Sequence, residues 1–306
     1  MLTVKNLVKH YPLKAGRFSS SLEKIHALNG VSFTLGSRQT LGIVGESGCG
    51  KSTLAKAILG IKPPDSGQII LDPPDTRMQY IFQDQYLSLN PKMQVKDIIT
   101  EPMRAADMIN RHDVPREAER LLELVGLPKD WGTKYPHEFS GGQRQRICIG
   151  RAISSKPGIV ICDEPVSSLD VSIQSQILNL LLELQDKLNI SYIFIAHNIA
   201  VVLYMSDIVS VMYAGYIVES ATPQELYSNP MHPYTKLLLS VVPEIGRNKR
   251  IFEQKITGEV PDLIHMEPGC PFYGRCPMHK DVCRTAIPQL KPGEKSDHSC
   301  ACWLYQ

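Results

Sequence analysis

The chain has 306 residues and a formal net charge of +2, with 43% hydrophobic and 21% charged residues. This length and composition allow one large α/β domain with a smaller appendage, or two modest domains. The net charge is too small to argue for nucleic acid as a partner, and we expect none. No apolar run approaches the roughly 18 residues of a membrane-spanning helix. Charged residues interrupt the apolar N-terminus, so a secretory signal is not expected. We expect a cytoplasmic protein that partners would hold at a membrane if it works there.

The N-terminal region is predicted to consist of strands around one helix. Apolar positions at helical spacing, without a breaker, predict a helix over Lys51–Leu59 that ends at Gly60. A Ser-rich, basic loop around Lys14–Ser21 is expected between the first two strands. The predicted strands are one that begins around Leu2 and Val4, then Ala27–Leu35, Thr40–Val44, Gln68–Leu71 and Gln79–Phe82.

The pattern becomes helical from about residue 90 to residue 154. Arg116–Val125, for example, places its apolar residues on one stripe and ends at Gly126. The elements expected afterwards are strand Gly158–Cys162, helix Ser172–Leu188 and strand Ser191–Ala196. Strands that alternate with helices predict a mostly parallel, buried sheet, which a helical insertion interrupts in sequence. Past Met231 the chain is Pro-rich, and we expect it to be irregular there.

A phosphate-binding loop is predicted at residues 45–52, GESGCGKS, which match the pattern G-x-x-x-x-G-K-[ST]. Glycines let the backbone turn its N–H groups toward phosphate oxygens, and the following helix adds the positive end of its dipole. Lys51 would supply charge to the β- and γ-phosphates, and the Ser52 hydroxyl would bind Mg²⁺. A chance glycine-rich turn is the alternative, but this one lies between an apolar strand and a helix. The candidate ATP-binding residues are Gly45, Glu46, Ser47, Gly48, Cys49, Gly50, Lys51, Ser52 and Thr53.

A second candidate site is the apolar segment Ile159–Glu164, which ends in two acids. A carboxylate at the end of a strand beside a phosphate loop can hold Mg²⁺ through water, and we assign this role to Asp163. Glu164 would then polarise the attacking water as a general base. The alternative is a pair of solvated acids at a strand end.

Residues 139–146, FSGGQRQR, resemble the signature motif of ABC ATPases, usually LSGGQ, with Phe139 in place of leucine. Ser140 and the backbone of two glycines at a helix start form a second anion site. The resemblance implies that this site closes over the γ-phosphate of ATP held by a partner subunit. The candidate ATP-binding residues of the motif are Ser140, Gly141, Gly142 and Gln143.

Four further residues stand in the order of the ABC family. By resemblance, Tyr11 stacks on adenine, and Gln83 is the Q-loop glutamine, which senses Mg²⁺ and water and borders the permease groove. Asp170 belongs to the D-loop at the subunit interface, and His197 is the switch histidine that contacts the γ-phosphate. Singly, each has a purely structural alternative, such as a helix cap for Asp170. Together the motifs span residues 11–197.

Two segments of the C-terminal region resemble the ATPases of dipeptide and oligopeptide importers, a family that also includes nickel importers. They are NPMHPYTKLLL, around His232-Pro233-Tyr234, and PGCPFYGRCPMHKDVC. One departure is that Asp65–Gln83 is shorter than the usual family segment, which we interpret as a trimmed hairpin away from the catalytic atoms.

The cysteines are unevenly distributed: three of the eight are scattered at positions 49, 148 and 162, and five lie between positions 270 and 302. In a reducing compartment such a cluster indicates a metal site rather than disulfides. The spacing is looser than the C-x₂-C knuckle of zinc sites. The resemblance implies a [4Fe–4S] cluster, with Cys302 preferred to Cys300 as the fourth ligand because Ala301-Cys302-Trp303 fits the family ending. Zinc and unliganded thiols are the alternatives. The predicted ligands are Cys270, Cys276, Cys283 and Cys302.

The resemblance implies an ABC ATPase domain over 1–230, with a helical subdomain at about 84–154, and a C-terminal region over 231–306. The expected function is ATP hydrolysis that drives import of di- or oligopeptides, with nickel or another small solute as the alternative cargo. The implied partners are a homologous but different ATPase subunit, two permease subunits and, indirectly, an extracytoplasmic solute-binding protein. The expected location is the cytoplasmic face of the cell membrane. A soluble ABC ATPase and a non-ABC enzyme such as a kinase are further alternatives.

Overall fold

The structure is a computed structural model that describes residues 1–13, 23–240, 261–293 and 297–306. Its contacts divide the chain into two compact units, each discontinuous in sequence. The first unit comprises Met1–Leu35, Thr40–Leu71 and Ile195–Gln306, and the second comprises Gly36–Gln39 and Asp72–Phe194. None of the helices in these described ranges combines the length and apolarity needed to cross a bilayer. The predicted loop at 14–21 lies outside the described residues.

Strands and helices alternate along most of the chain. The strands are β1 (Leu2–Pro12), β2 (Lys24–Leu35), β3 (Thr40–Val44), β4 (Ser66–Leu71), β5 (Met78–Ile81), β6 (Ile159–Asp163), β7 (Ser191–Ala196), β8 (Ile208–Tyr213), β9 (Tyr216–Ala221), β10 (Lys291–Pro292) and β11 (Ser299–Cys300). The helices are α1 (Lys51–Ile58), α2 (Gln85–Ser88), α3 (Val95–Ile99), α4 (Glu101–Ala105), α5 (Val114–Leu124), α6 (Gly141–Ser154), α7 (Val171–Leu188), α8 (Ile199–Met205), α9 (Pro223–Ser228) and α10 (Pro233–Ser240).

Two groups of strands build the first unit. One is an antiparallel sheet of order β2-β1-β4, in which Leu2, Val4 and Leu7 of the central strand are buried. In the other group the order is β10-β11-β9-β8-β3, and β3 pairs with β8 in parallel. All five residues of β3 are buried, as expected for a strand covered on both faces. The turn after this strand therefore starts from a rigid support.

The second unit contains the parallel pair β5 and β6, with Met78 opposite Ile159. Every residue of β6 is buried, including the terminal Asp163. Helices α2 to α6 occupy the stretch between these two strands. The predicted stripe on α5 is confirmed, because Ala118, Leu121 and Leu122 are buried. The sheet and the helical insertion thus follow the sequence pattern.

The predicted α/β class with parallel strands is confirmed, and the bounds of most predicted elements agree within a few residues. The expectation of an irregular chain past Met231 is wrong over α10. Pro233, at the first position of α10, has its φ angle fixed at a helical value, and the N–H that it lacks would have no partner within the helix. Residues that can form a helix follow it. The β8–β9 hairpin was not predicted; it turns through Ala214 and Gly215, both with positive φ.

Candidate active site

The phosphate loop, residues 45–52, joins β3 to α1 within the first unit. Gly48 and Gly50 have φ values of 82° and 107°, which residues with a Cβ rarely adopt. A Cβ on Gly45 would stand 2.1 Å from the carbonyl oxygen of Met212, so no larger residue fits there. The predicted glycine turn between strand and helix is therefore present, and its geometry requires the glycines.

Lys51 is folded over this loop. Its side-chain ammonium donates to the carbonyl oxygens of Gly45 at 2.7 Å and Glu46 at 2.9 Å, and the residue is only 6% exposed. No side chain caps the start of α1 at Gly50. The first N–H groups of α1, together with the ammonium, are suited to bind an anion. Ser52 and Thr53 lie in this first turn and are half-buried.

Asp163 ends β6 in the second unit and is 3% exposed. Its Oδ2 accepts a hydrogen bond from the Tyr80 hydroxyl at 2.5 Å, and burial together with this bond raises the pKa of Tyr80. Its Oδ1 is buried and has no hydrogen-bond partner among the described residues. A buried carboxylate oxygen without a donor fits a role in binding Mg²⁺ or its water shell. No sequence motif indicated Tyr80.

Glu164 and Gln83 lie together in the same unit. The Gln83 side-chain amide donates to the Glu164 carboxylate at 3.1 Å. Glu164 has a φ of 49°, an unusual conformation for a residue with a Cβ and one that often marks functional positions. The structure therefore places the predicted general base, Glu164, beside the predicted Q-loop glutamine, Gln83.

Ser140 forms the N-cap of α6 in the second unit. Its hydroxyl accepts from the Gln143 N–H at 3.4 Å, and the Gln143 side chain accepts from the Ser140 N–H at 3.0 Å. A Cβ on Gly142 would stand 2.6 Å from a methyl group of Ile173, so α7 requires glycine there. Phe139 is buried, with its ring 5.4 Å from that of Trp131. An apolar residue therefore suits this position, and the signature motif forms a capped helix start at which Ser140 is exposed.

The remaining predicted residues occupy three separate places. Asp170 caps α7, and its hydrogen bond from the Ile173 N–H at 3.0 Å lowers its pKa. The cap does not conflict with the D-loop assignment, because the residue is exposed. Tyr11 is half-buried near the end of β1, and His197 is exposed directly after β7. Both lie in the first unit with the phosphate loop.

The four predicted cluster ligands are tied into short turns of the cysteine tail, residues 261–293 and 297–306. The Lys280 N–H donates to the Cys283 sulfur at 3.4 Å. Backbone N–H groups also reach the sulfurs of Cys270, Cys276 and Cys302. Burial raises the pKa of Cys270 to about 12, and the neighbouring thiols of Cys283, Cys302 and Cys276 contribute.

The side chains of these turns are not arranged as a finished metal site. Within the described ranges, no group of three or more His, Cys, Asp or Glu side chains is positioned to hold a metal ion. Cys300 differs from the predicted ligands, because its thiol donates to the Cys302 sulfur. That bond lowers the pKa of Cys302 and raises the pKa of Cys300.

Two residues of the C-terminal region that the sequence analysis missed contact the phosphate loop. The Glu46 N–H donates to the Tyr234 hydroxyl at 2.8 Å, and the Arg275 guanidinium donates to the Glu46 carboxylate at 2.8 and 3.0 Å. Tyr234 belongs to the segment His232-Pro233-Tyr234, which indicated the importer family but no role for the tyrosine. Arg275 directly precedes Cys276, but it lies far from the loop in sequence, and no pattern indicated its partner.

Two family models match this chain, one in the part that contains the ATPase motifs and one in the C-terminal part. A family model described as "ABC transporter" matches residues 28–167, and one described as "Oligopeptide/dipeptide transporter, C-terminal region" matches residues 218–283. The oligopeptide transport ATP-binding protein AppF of Bacillus subtilis is 42% identical, with 100% of this chain and 97% of that protein covered. The chain belongs to the family of oligopeptide and dipeptide transport ATP-binding proteins.

Other members of this family are similarly close. The di/tripeptide transport ATP-binding protein DppF of Pseudomonas aeruginosa is 40% identical over 98% of this chain and 97% of that protein. The dipeptide transport ATP-binding protein DppF of Haemophilus influenzae is 41% identical over 95% of this chain and 93% of that protein. The chain is therefore an ATP-hydrolysing ABC subunit.

Solved structures agree on the fold of this ABC subunit. The dimeric ATP-binding cassette MJ0796, in a post-hydrolysis state with ADP and Pi, matches with a TM-score of 0.63 at 23% identity, over 73% of this chain and 99% of that chain. The protein cbiO1 of Clostridium perfringens, part of the transporter complex cbiONQ, matches with a TM-score of 0.63 at 27% identity, over 74% of this chain and 90% of that chain. The predicted ABC ATPase core is confirmed.

In the Lys51→Ala variant we expect ATP binding to weaken by roughly a hundredfold, because the ammonium contributes charge-assisted hydrogen bonds to phosphate. The measurement is titration with a fluorescent ATP analogue. Lys56→Ala is the matched control, since Lys56 lies on the same helix but is exposed. Unchanged ATP affinity in Lys51→Ala would refute the assignment of the phosphate loop.

Proposed function

We propose that this subunit drives the uptake of di- and oligopeptides. The observation that carries the proposal is 42% identity with an oligopeptide transport ATP-binding protein over 100% of this chain. The match of residues 218–283 to the C-terminal region of oligopeptide and dipeptide transporters supports it independently of the ATPase motifs. AppF and the two DppF proteins named above are peptide transport proteins, so peptides are favoured over nickel as the cargo.

The proposed motor is a pair of ATPase subunits that bind two ATP molecules between them. The phosphate loop of one subunit holds the triphosphate, with Tyr11 on adenine and His197 at the γ-phosphate. The Ser140–Gln143 helix start of the other subunit approaches the same phosphate, and Asp170 lies at this interface. The exposed, capped start of α6 supports this role, because a preformed helix N-terminus binds an anion without reorganisation.

Hydrolysis is assigned to the residues that end β5 and β6. Mg²⁺, held with the help of Ser52, Gln83 and Asp163, would neutralise charge on the β- and γ-phosphates. Glu164 accepts a proton from the attacking water. The Gln83–Glu164 hydrogen bond supports this assignment, since it holds the base beside the residue proposed to sense Mg²⁺ and water. ATP binding would close the pair, and hydrolysis would reopen it.

The proposed assembly contains two permease subunits, a second, homologous ATPase and, indirectly, an extracytoplasmic solute-binding protein. This subunit would then lie at the cytoplasmic face of the membrane, held by the permeases near Gln83. We assign the ABC ATPase domain to residues 1–230, with its helical subdomain at about 84–154, and the C-terminal region to 231–306. The ABC transporter model matches residues 28–167, within the first domain, whereas the C-terminal-region model already begins at residue 218, before the proposed boundary.

We also propose that Cys270, Cys276, Cys283 and Cys302 bind a [4Fe–4S] cluster. Each of the four sulfurs accepts a hydrogen bond from a backbone N–H, and such hydrogen bonds stabilise thiolates that bind a cluster. The Cys300 thiol instead donates to the Cys302 sulfur, and this supports Cys302 as the fourth ligand. The four thiols would need to rotate toward one another on binding. The cluster would supply a cross-link for a tail with few regular elements.

Transport is tested with Glu164→Gln, which removes the base but preserves the shape of the side chain. We expect this variant to bind ATP, to hydrolyse it at least ~100-fold more slowly and to support no uptake. The measurements are phosphate release and the uptake of labelled tripeptide and labelled nickel by cells that lack the native gene. The matched control is Glu183→Gln on the exposed face of α7. Normal turnover in Glu164→Gln would exclude this base, and nickel uptake without peptide uptake would exclude the cargo.

The cluster is tested by metal analysis of anaerobically purified protein. We expect about four iron atoms and four acid-labile sulfides per chain, the composition of a cluster with four thiolate ligands. Cys302→Ser should lose the iron, whereas Cys300→Ser and the buried-core control Cys148→Ser should retain it. Zinc in place of iron, or equal iron in the Cys302→Ser protein, would contradict the assignment.

A further inference from the structure

Glu46, the second residue of the phosphate loop, is held at three different atoms. Its N–H donates to the Tyr234 hydroxyl at 2.8 Å, and its carbonyl oxygen accepts from the Lys51 ammonium at 2.9 Å. Its carboxylate accepts from both terminal nitrogens of Arg275, at 2.8 and 3.0 Å. Two of the three anchors therefore come from the C-terminal region rather than from the loop or its helix.

The Arg275 side chain is itself fixed on several sides. It is 12% exposed, and the Glu46 side chain is 25% exposed, so water screens this pair less than a surface pair. The guanidinium also donates to the Tyr213 hydroxyl at 3.2 Å and lies 5.8 Å from the ring centre of Phe272. A bidentate arginine–carboxylate pair in such a setting fixes direction as well as distance.

The aromatic residues beneath the pair connect the tail with the strand next to β3. The rings of Tyr213 and Tyr234 are 4.6 Å apart, and the Phe272 ring packs against both, at 5.2 and 5.6 Å. All three residues are almost completely buried. This packing orients the Tyr234 hydroxyl toward the loop. Arg275 closes the short helical turn Tyr273–Arg275, which leads directly into Cys276.

We propose that Arg275 is a positioning residue of the phosphate loop, through which the folded cysteine tail sets the affinity for ATP. The guanidinium reaches Glu46 only when the turn that precedes Cys276 is formed. Glu46 in turn fixes the carbonyl that Lys51 contacts, and thus the path of the backbone that faces the phosphates. The inference rests on ATP binding, which the family establishes, and not on the proposed cargo or cluster.

The expected effect follows from the fraction of molecules whose loop is ready to bind. If only a fraction of the loops is competent, the apparent dissociation constant rises by the inverse of that fraction. For Arg275→Ala we expect roughly tenfold weaker ATP binding, within the usual contribution of a hydrogen-bonded charged pair. At saturating ATP nearly all loops adopt the competent conformation again. We therefore expect kcat to change by less than about twofold while KM rises.

The experiment measures the ATP dissociation constant with a fluorescent analogue, together with kcat and KM, for the full chain. The variants are Arg275→Ala, Arg275→Lys, Glu46→Gln and the double variant Arg275→Ala/Glu46→Gln. Arg284→Ala is the control, because Arg284 is an exposed arginine of the same tail. Circular dichroism melting identifies variants that fail to fold, and in that case Glu46→Gln tests the pair from the loop side.

We expect the two single variants and the double variant to lose affinity to a similar extent, since each removes the same pair. Arg275→Lys should lose less, and Arg284→Ala should lose nothing. Wild-type affinity in both folded single variants would overturn the proposal. It would also be overturned if the losses simply added in the double variant, or if kcat fell while the dissociation constant stayed unchanged.

Discussion

The path of the phosphate-loop backbone is the constraint on which the rest of this protein depends. Its N–H groups can face a triphosphate only if the chain turns through conformations that Gly48 and Gly50 allow and passes close to Met212 at Gly45. The buried strand β3 supports one end of the loop, and α1 the other. The peptide-transporter tail adds an anchor in the middle, at Glu46. A general ATP-binding turn is thus held by residues that belong to this family's C-terminal region.

The second unit contains the groups that we propose to act on a nucleotide rather than to bind it. Tyr80 fixes one oxygen of Asp163, and the other oxygen has no partner among the described residues. Gln83 holds Glu164, which has an uncommon backbone conformation. The signature helix start is already capped by the exposed Ser140, so it could bind an anion without rearranging its backbone. In the proposed pair of subunits, this surface completes the site of the partner.

The sequence predicted the parts of the protein whose chemistry needs particular residues at close spacing. The phosphate loop, the acids at the end of β6 and the signature motif each need fixed residue types within a few positions, so motifs could predict them. In the structure they form a strand-to-helix turn, a strand end and a helix start. Contacts across long sequence separations were not predictable: Arg275 and Glu46 are 229 residues apart, and no periodicity relates them. Helix α10 was missed because prolines before and after it resembled irregular chain. The hairpin at Ala214-Gly215 was missed because its flanking strands show no clean alternation.

The central claim is that a triphosphate is bound between the phosphate loop of one subunit and the signature helix of another. A photoreactive phenylalanine derivative at the exposed His137, just before the signature motif, tests it most directly in the Glu164→Gln background. After irradiation, mass spectrometry identifies the cross-linked peptide. The account predicts an ATP-dependent cross-link to the phosphate-loop peptide of the partner ATPase. Cross-links that form only within one chain, or equally without ATP, would contradict it.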